Sequence, residues 1–160
     1  MTSQAGTDHA AVQAAEDARK AVATSYLKAL DAGGISPTTG LGLFDHFADD
    51  AEVYLPKWGI ARGKEEIIRM FTDVGGTLKS ITHQYDSLNW YMTGTSRFVV
   101  EGLSSGEHRD GTWQADDPAW GAGRWCDCFD VVDGRIQRLF IYMDPDYAGK
   151  DTARYPWIGS

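Results

Sequence analysis

At 160 residues the chain is long enough to enclose a hydrophobic core within one domain. A formal net charge of −8 argues against nucleic acid or an anionic membrane as partner. No apolar run approaches the roughly 20 residues of a membrane helix. Residues 1–10, MTSQAGTDHA, lack the basic region and apolar core of a secretory signal, so a cytoplasmic location is expected.

The first seven residues read as a loose tail, and a helical pattern follows over residues 8–32. Val22, Ala23, Tyr26, Leu27 and Leu30 recur there at spacings of three and four, which draws one apolar stripe. Gly33-Gly34 closes this helix. Ser36-Pro37-Thr38-Thr39 is a turn that starts a short second helix, with Leu41, Phe44 and Phe47 on its apolar side. Residues 51–55 (AEVYL) form a short strand stopped by Pro56, and residues 57–63 are a loop or short return strand carrying Trp58. A third helix covers residues 64–72, with Ile67, Ile68 and Phe71 facing inward, and Gly75-Gly76 breaks it. Residues 79–91 and 95–108 then read as two long strands joined at Thr93-Gly94. Asp110-Gly111 is a further turn, residues 113–122 are mostly loop, and the aperiodic tail 144–160 is expected to wrap the surface. Helices first and antiparallel strands after predict an α+β fold, with helices on one face of a curved sheet. With no repeat and no linker, residues 1–160 are expected to form a single domain with its core at about 8–147.

The stretch 121–147, GAGRWCDCFDVVDGRIQRLFIYMDPDY, carries the chemistry. Two runs rich in aromatic and β-branched residues, 124–132 and 135–143, flank Asp133-Gly134. Asp-Gly between such runs is a hairpin signal. Side chains alternate across a strand, so Trp125, Asp127 and Phe129 share one face. Arg124, Cys126, Cys128 and Asp130 share the other. If the aromatic face is buried, the charged form of Asp127 is disfavoured. Cys126 and Cys128 stand at i and i+2 on one strand, which suits neither a disulfide nor zinc-site spacing. They read as small apolar residues on the outer face.

Four stretches together resemble the SnoaL-like branch of the nuclear-transport-factor-two-like superfamily. They are Tyr26-Leu27-Lys28-Ala29-Leu30-Asp31, Phe47-Ala48-Asp49-Asp50-Ala51, Gly63-Lys64-Glu65-Glu66-Ile67 and the closing hairpin at Asp133-Gly134. The resemblance runs from about Val12 to Pro145. It implies a cone: a strongly curved, mostly antiparallel sheet around a long N-terminal helix plus two shorter helices, enclosing a pocket. Relatives include ketosteroid isomerase, SnoaL-type polyketide cyclases, scytalone dehydratase and limonene epoxide hydrolase. One fold hosts many chemistries, so the site must be read residue by residue. Tyr26 is similar in position to the oxyanion tyrosine of ketosteroid isomerase. Asp127 is similar to its oxyanion-hole aspartic acid, a carboxyl kept neutral by an apolar site, and to the acid/base aspartate of SnoaL cyclases. The isomerase general base falls at Leu55, so steroid isomerisation by that mechanism is not expected. His83 resembles a pocket histidine of scytalone dehydratase, whose asparagine falls at Trp125 and one of whose tyrosines falls at Leu55. The second pocket aspartate of limonene epoxide hydrolase falls at Ile141. The resemblance also implies a homodimer, for which the outer face bearing Cys126, Cys128 and Asp130 is available.

Each candidate has a plainer reading beside it. Asp127 is either catalytic or a structural carboxylate bonded to backbone. Tyr26 is an oxyanion donor or a core tyrosine with a satisfied hydroxyl. His83 shares a strand face with Ile81 and Tyr85 and is a proton carrier or a core histidine. Trp58, Trp113 and Trp120 form a lid or ordinary loop anchors. His9, His46 and His108 carry no motif and are expected at the surface. Asp116-Asp117, Asp144 and Asp146 read as solvated acids rather than a metal site. No glycine-rich nucleotide or phosphate loop occurs, so no cofactor is expected. The resulting expectation is an enzyme of isomerase, cyclase or dehydratase type, working by acid/base chemistry on an apolar carbonyl-bearing molecule. Asp127, His83 and Tyr26 would carry the chemistry; Leu55, Trp58, Trp125, Phe129, Phe71 and Ile141 would shape the pocket. The alternative is a non-catalytic ligand-binding or assembly module of the same fold.

Overall fold

The computed structural model describes residues 3–115, 123–147 and 149–150. Trp120, Asp116-Asp117 and the tail from residue 151 onwards lie outside them. Helix α1 spans Ser3–Asp31, so it begins earlier than its apolar stripe requires. The stripe packs as the spacing predicts: Ala23, Tyr26 and Leu27 are buried, and Val22 and Leu30 lie against the core. The helix ends in paired backbone bonds, Gly34 N–H to Ala29 O at 2.8 Å and Gly33 N–H to Leu30 O at 3.0 Å. This is the Schellman arrangement, and Gly33 supplies the left-handed residue it needs at φ 75°. No helix among the described residues is long and apolar enough to cross a membrane.

The expected second helix does not form. A single four-residue 3₁₀ turn, Leu43–His46, stands in its place, and Phe47 opens strand β1 (Phe47–Leu55). Side chains compete with the helix here. Ser25 Oγ on α1 lies 2.9 Å from Ser36 Oγ, 2.7 Å from Thr39 Oγ1 and 2.7 Å from His46 Nε2. His46 Nδ1 in turn bonds the Gly42 carbonyl at 2.9 Å. His46 is thus 2% exposed, not a surface residue, and its ring ties the turn to α1.

Strand β2 (Gly59–Arg62) returns along β1 and leads into α2 (Gly63–Gly75). Ile67, Met70 and Val74 are the buried face of α2, while Ile68, expected inside, is 39% exposed. The long strand expected over 79–91 is two strands, β3 (Leu78–His83) and β4 (Asn89–Met92), separated by a 3₁₀ turn at Tyr85–Ser87. Strands β5 (Arg97–His108), β6 (Gly111–Trp113), β7 (Arg124–Val132) and β8 (Arg135–Met143) complete an eight-stranded sheet. Its order is β2-β1-β8-β7-β5-β3, with β4 and β6 also paired to β5. Only β1 and β8 run parallel; every other named pairing is antiparallel. Asp133 (φ 50°) and Gly134 (φ 73°) make the left-handed pair that a two-residue hairpin turn demands.

The two sides of β7 divide as the alternation predicts. Trp125, Asp127, Phe129 and Val131 are buried, whereas Cys126, Cys128 and Asp130 are partly exposed. Phe129 stacks on Phe98 of β5 at 5.1 Å and meets Tyr26 edge-on at 6.1 Å, which fixes α1 across the sheet. A satellite cluster of Trp113 and Tyr147 packs against Leu78, Ile81 and Met143. Trp113 reaches its place only because β5 carries glycine opposite it. A Cβ at Gly106 would overlap the Trp113 ring and the Ser80 carbonyl oxygen. Gly106→Ala is therefore expected to destabilise the fold by about 3 kcal/mol, the upper range for overpacking. Urea unfolding checks this, and a variant within 0.5 kcal/mol of wild type would contradict the packing described.

Candidate active site

A cavity of about 760 Å³ opens between α1, α2, β3 and the inner face of β7 and β8. That volume falls among ordinary small-molecule sites. Its wall is largely apolar, with Leu27 and Leu30 from α1, Phe71 and Val74 from α2, and Leu78 and Ile81 from β3. Tyr26, His83 and Asp127, brought from α1, β3 and β7, all line it, and so do Leu55, Trp125, Phe71 and Ile141. Two residues expected at the pocket are elsewhere. Phe129 is packed inside the core on Phe98. The Trp58 indole N–H donates to Asp73 at 2.7 Å, which makes it a loop anchor on α2.

Asp127 sits mid-strand, opposite Val100 of β5 and Ile141 of β8. It is 3% exposed, and its Oδ1 is enclosed without a hydrogen-bond partner among the described residues. Burial strips the anion of hydration and pushes its pKa up to about 8. At neutral pH the carboxyl is protonated and can donate. The Tyr26 hydroxyl and the Trp125 indole nitrogen are likewise enclosed and unpartnered. Burial first, and the Asp127 charge second, hold the Tyr26 phenol well above its ordinary pKa.

His83 is arranged differently. Its Nδ1 lies 2.6 Å from Asp31 Oδ1, its backbone N–H donates to Asp31 Oδ2 at 3.1 Å, and the Tyr85 hydroxyl donates to that oxygen at 2.8 Å. A carboxylate only accepts, so Nδ1 carries a proton, and in the neutral tautomer this leaves the lone pair on Nε2. This anchoring on the end of α1 also explains why β3 stops at His83. The ring stands edge-on to Trp125 at 5.1 Å.

The sequence reading missed Asp31 and Tyr147, both on the cavity wall. Asp31 had a signal: it lies four residues after Leu27, on the apolar stripe of α1. Tyr147 had none, since it falls in the aperiodic tail, yet it is buried and stacks on His108 at 5.4 Å. His108, expected at the surface, is correspondingly half-buried.

Fold and cavity define a cone-like α+β protein with an internal, largely apolar cavity. Residues 23–139 match the SnoaL-like domain, and the chain belongs to that family. Solved structures of related shape agree on the fold. An NTF2-like protein from Anabaena variabilis superposes with a TM-score of 0.61 at 20% identity, over 82% of this chain and 92% of that one. A candidate polyketide cyclase from Xanthomonas campestris pv. campestris gives 0.60 at 14% identity, over 91% and 97%. TerC, co-crystallised with polyporic acid, gives 0.58 at 15% identity, over 89% and 99%. No curated protein matches the chain at a significant level.

The raised pKa of Asp127 makes stability depend on pH. The unfolded carboxyl titrates near 3.9, and the folded one near 8. Between those values the folded state binds more protons, so stability falls as pH rises and levels off above the folded value. Wild type is expected to lose up to about 1.4 kcal/mol per pH unit against Asp127→Asn between pH 5 and 7. Denaturant unfolding of both proteins at three pH values tests this. Parallel pH profiles would show that the carboxyl is not desolvated.

Proposed function

We propose that this protein is an acid/base enzyme that binds an apolar, carbonyl-bearing small molecule in the cavity. The observation that carries the proposal is the pair of contrasting groups on one apolar wall. Asp127 offers a proton and has an oxygen, Oδ1, with no partner among the described residues, while His83 offers a lone pair and is oriented by Asp31. Leaving a buried polar group unpaired costs about 1–3 kcal/mol, which a ligand hydrogen bond would offset.

In the proposed reaction the substrate carbonyl oxygen accepts hydrogen bonds from Asp127 and Tyr26. His83 Nε2 removes a proton from the adjacent carbon, and the electron pair moves onto the oxygen. The two neutral donors then stabilise the enolate in a low-dielectric site. The Asp31 carboxylate stabilises the imidazolium that forms, as in other carboxylate–histidine pairs. Returning that proton to another carbon gives isomerisation; attack of the enolate carbon on a second carbonyl of the same molecule, whose oxygen then takes the proton, gives ring closure; delivering the proton to a departing hydroxyl gives dehydration. The co-crystal of TerC with polyporic acid supports small-molecule binding by a protein of this fold.

The test is deuterium incorporation next to the carbonyl of aromatic ketones in heavy water, followed by NMR. Asp127→Asn and His83→Ala are each expected to slow exchange about 10²–10⁴-fold, with the Asp127→Asn melting temperature at pH 7 no lower than wild type. Ketone binding without exchange in the wild type would favour a non-catalytic binding module instead.

We also propose that the outer sheet face pairs two copies. Tyr54 lies 5.6 Å from Phe140 and 5.7 Å from Tyr142, beside Cys126 and Cys128 on the adjoining strand. Tyr142 is 48% exposed, so this aromatic patch is available for contact. Light scattering is expected to report a dimer at micromolar concentration and a monomer for Tyr142→Asp. A wild-type monomer at high micromolar concentration would refute the pairing.

A further inference from the structure

The chain after β8 turns back at Asp144, where the Asp146 N–H donates to Asp144 Oδ1 at 2.9 Å. This turn delivers Tyr147 to the cavity wall, 5% exposed. Its ring is held from behind. It lies nearly parallel to His108 (5.4 Å, 10°) and tilted against Trp113 (5.1 Å, 57°). The ring position therefore does not depend on anything inside the cavity.

The hydroxyl has a much weaker attachment. It donates to the Met143 sulfur at 3.4 Å, and Met143 is itself a lining residue. A thioether is among the poorest acceptors a protein can offer. A buried O–H in that state gains by turning to a ligand oxygen, and it leaves behind no group that needs a new partner. Burial, and then the charge of Asp127, push the Tyr147 phenol up to about 12, so it remains a donor at any working pH. The same carboxyl acts on Tyr26. Asp127 is thus within electrostatic reach of two phenols, one carried by α1 and one by the segment after β8.

We propose that Tyr147 is a specificity-determining residue, whose hydroxyl leaves Met143 to bind a second oxygen of a ligand whose first oxygen is held by Asp127 and Tyr26. The preferred ligand is then an apolar frame with two oxygen functions, such as a hydroxy ketone or a dione. A compound with a single carbonyl would leave Tyr147 on its sulfur and gain nothing from it. This inference rests on the acid/base reading of the same cavity, and adds the substrate class to it.

The test compares 2-naphthol with dihydroxynaphthalenes bearing the second hydroxyl at the 3, 6 or 7 position, by titration calorimetry on the full chain. At least one diol is expected to bind wild type about tenfold more tightly than 2-naphthol. Tyr147→Phe keeps the ring stack and removes only the hydroxyl. It is expected to bring that diol to within about twofold of 2-naphthol, with 2-naphthol itself unchanged. Equal weakening of both probes, or no diol preferred by wild type, overturns the proposal. If Tyr147→Phe folds poorly, Met143→Leu removes the competing acceptor and is expected to keep or sharpen the diol preference; its loss in that variant counts against the proposal. The underlying reading fails in a different way: wild type binds no naphthol, or Asp127→Asn and Tyr26→Phe leave 2-naphthol affinity untouched. That result overturns the Tyr147 assignment along with it.

Discussion

The desolvation of one carboxyl organises the functional half of this molecule. Asp127 stands on the inner face of a central strand, between Trp125 and Phe129, with one oxygen unpaired and no charged partner among the described residues. Burial disfavours the anion there, so the group is held neutral at neutral pH. Every neighbouring choice is consistent with keeping it so. Leu55 and Ile141 stand where the resemblance places carboxylates in relatives, and both line the same cavity as apolar wall. Tyr26 approaches as a neutral phenol, fixed by edge-on contacts with Phe47, Phe71 and Phe129.

Asp31 shows the opposite treatment of the same functional group. Its two oxygens accept from the His83 ring, the His83 backbone and the Tyr85 hydroxyl. These bonds span 52 to 54 residues of sequence and join the end of α1 to the end of β3. One carboxyl is satisfied and orients the His83 ring; the other keeps an oxygen with no partner among the described residues. A single cavity lined by both is what turns a fold that hosts many chemistries into a specific functional proposal.

The sheet achieves this through the course of β5. Its first half pairs with β7 and its second half with β3 and β6, so the strand carries the chain from the core to the cavity rim. Gly102 and Gly106 are placed where the Trp125 and Trp113 rings cross it. The absence of side chains at those two positions lets one indole line the cavity and the other support Tyr147 from behind.

Much of the frame was legible in the chain, because it depends on short-range periodicity. The stripe from Val22 to Leu30 placed Tyr26 on the buried face of α1, and strand alternation placed Asp127 inward and the cysteines outward. Asp133-Gly134 fixed the hairpin, since its turn needs two left-handed residues. Local pattern failed where distant side chains took over. The Ser25–His46 network replaced a helix with a 3₁₀ turn, and Asp31 ended a strand that the sequence would continue. The emptiness around Asp127, the tautomer of His83 and the arrival of Tyr147 were decided by tertiary structure alone. Desolvation, hydrogen-bond partners and cavity walls are set by residues far apart in the chain, and no local spacing encodes them.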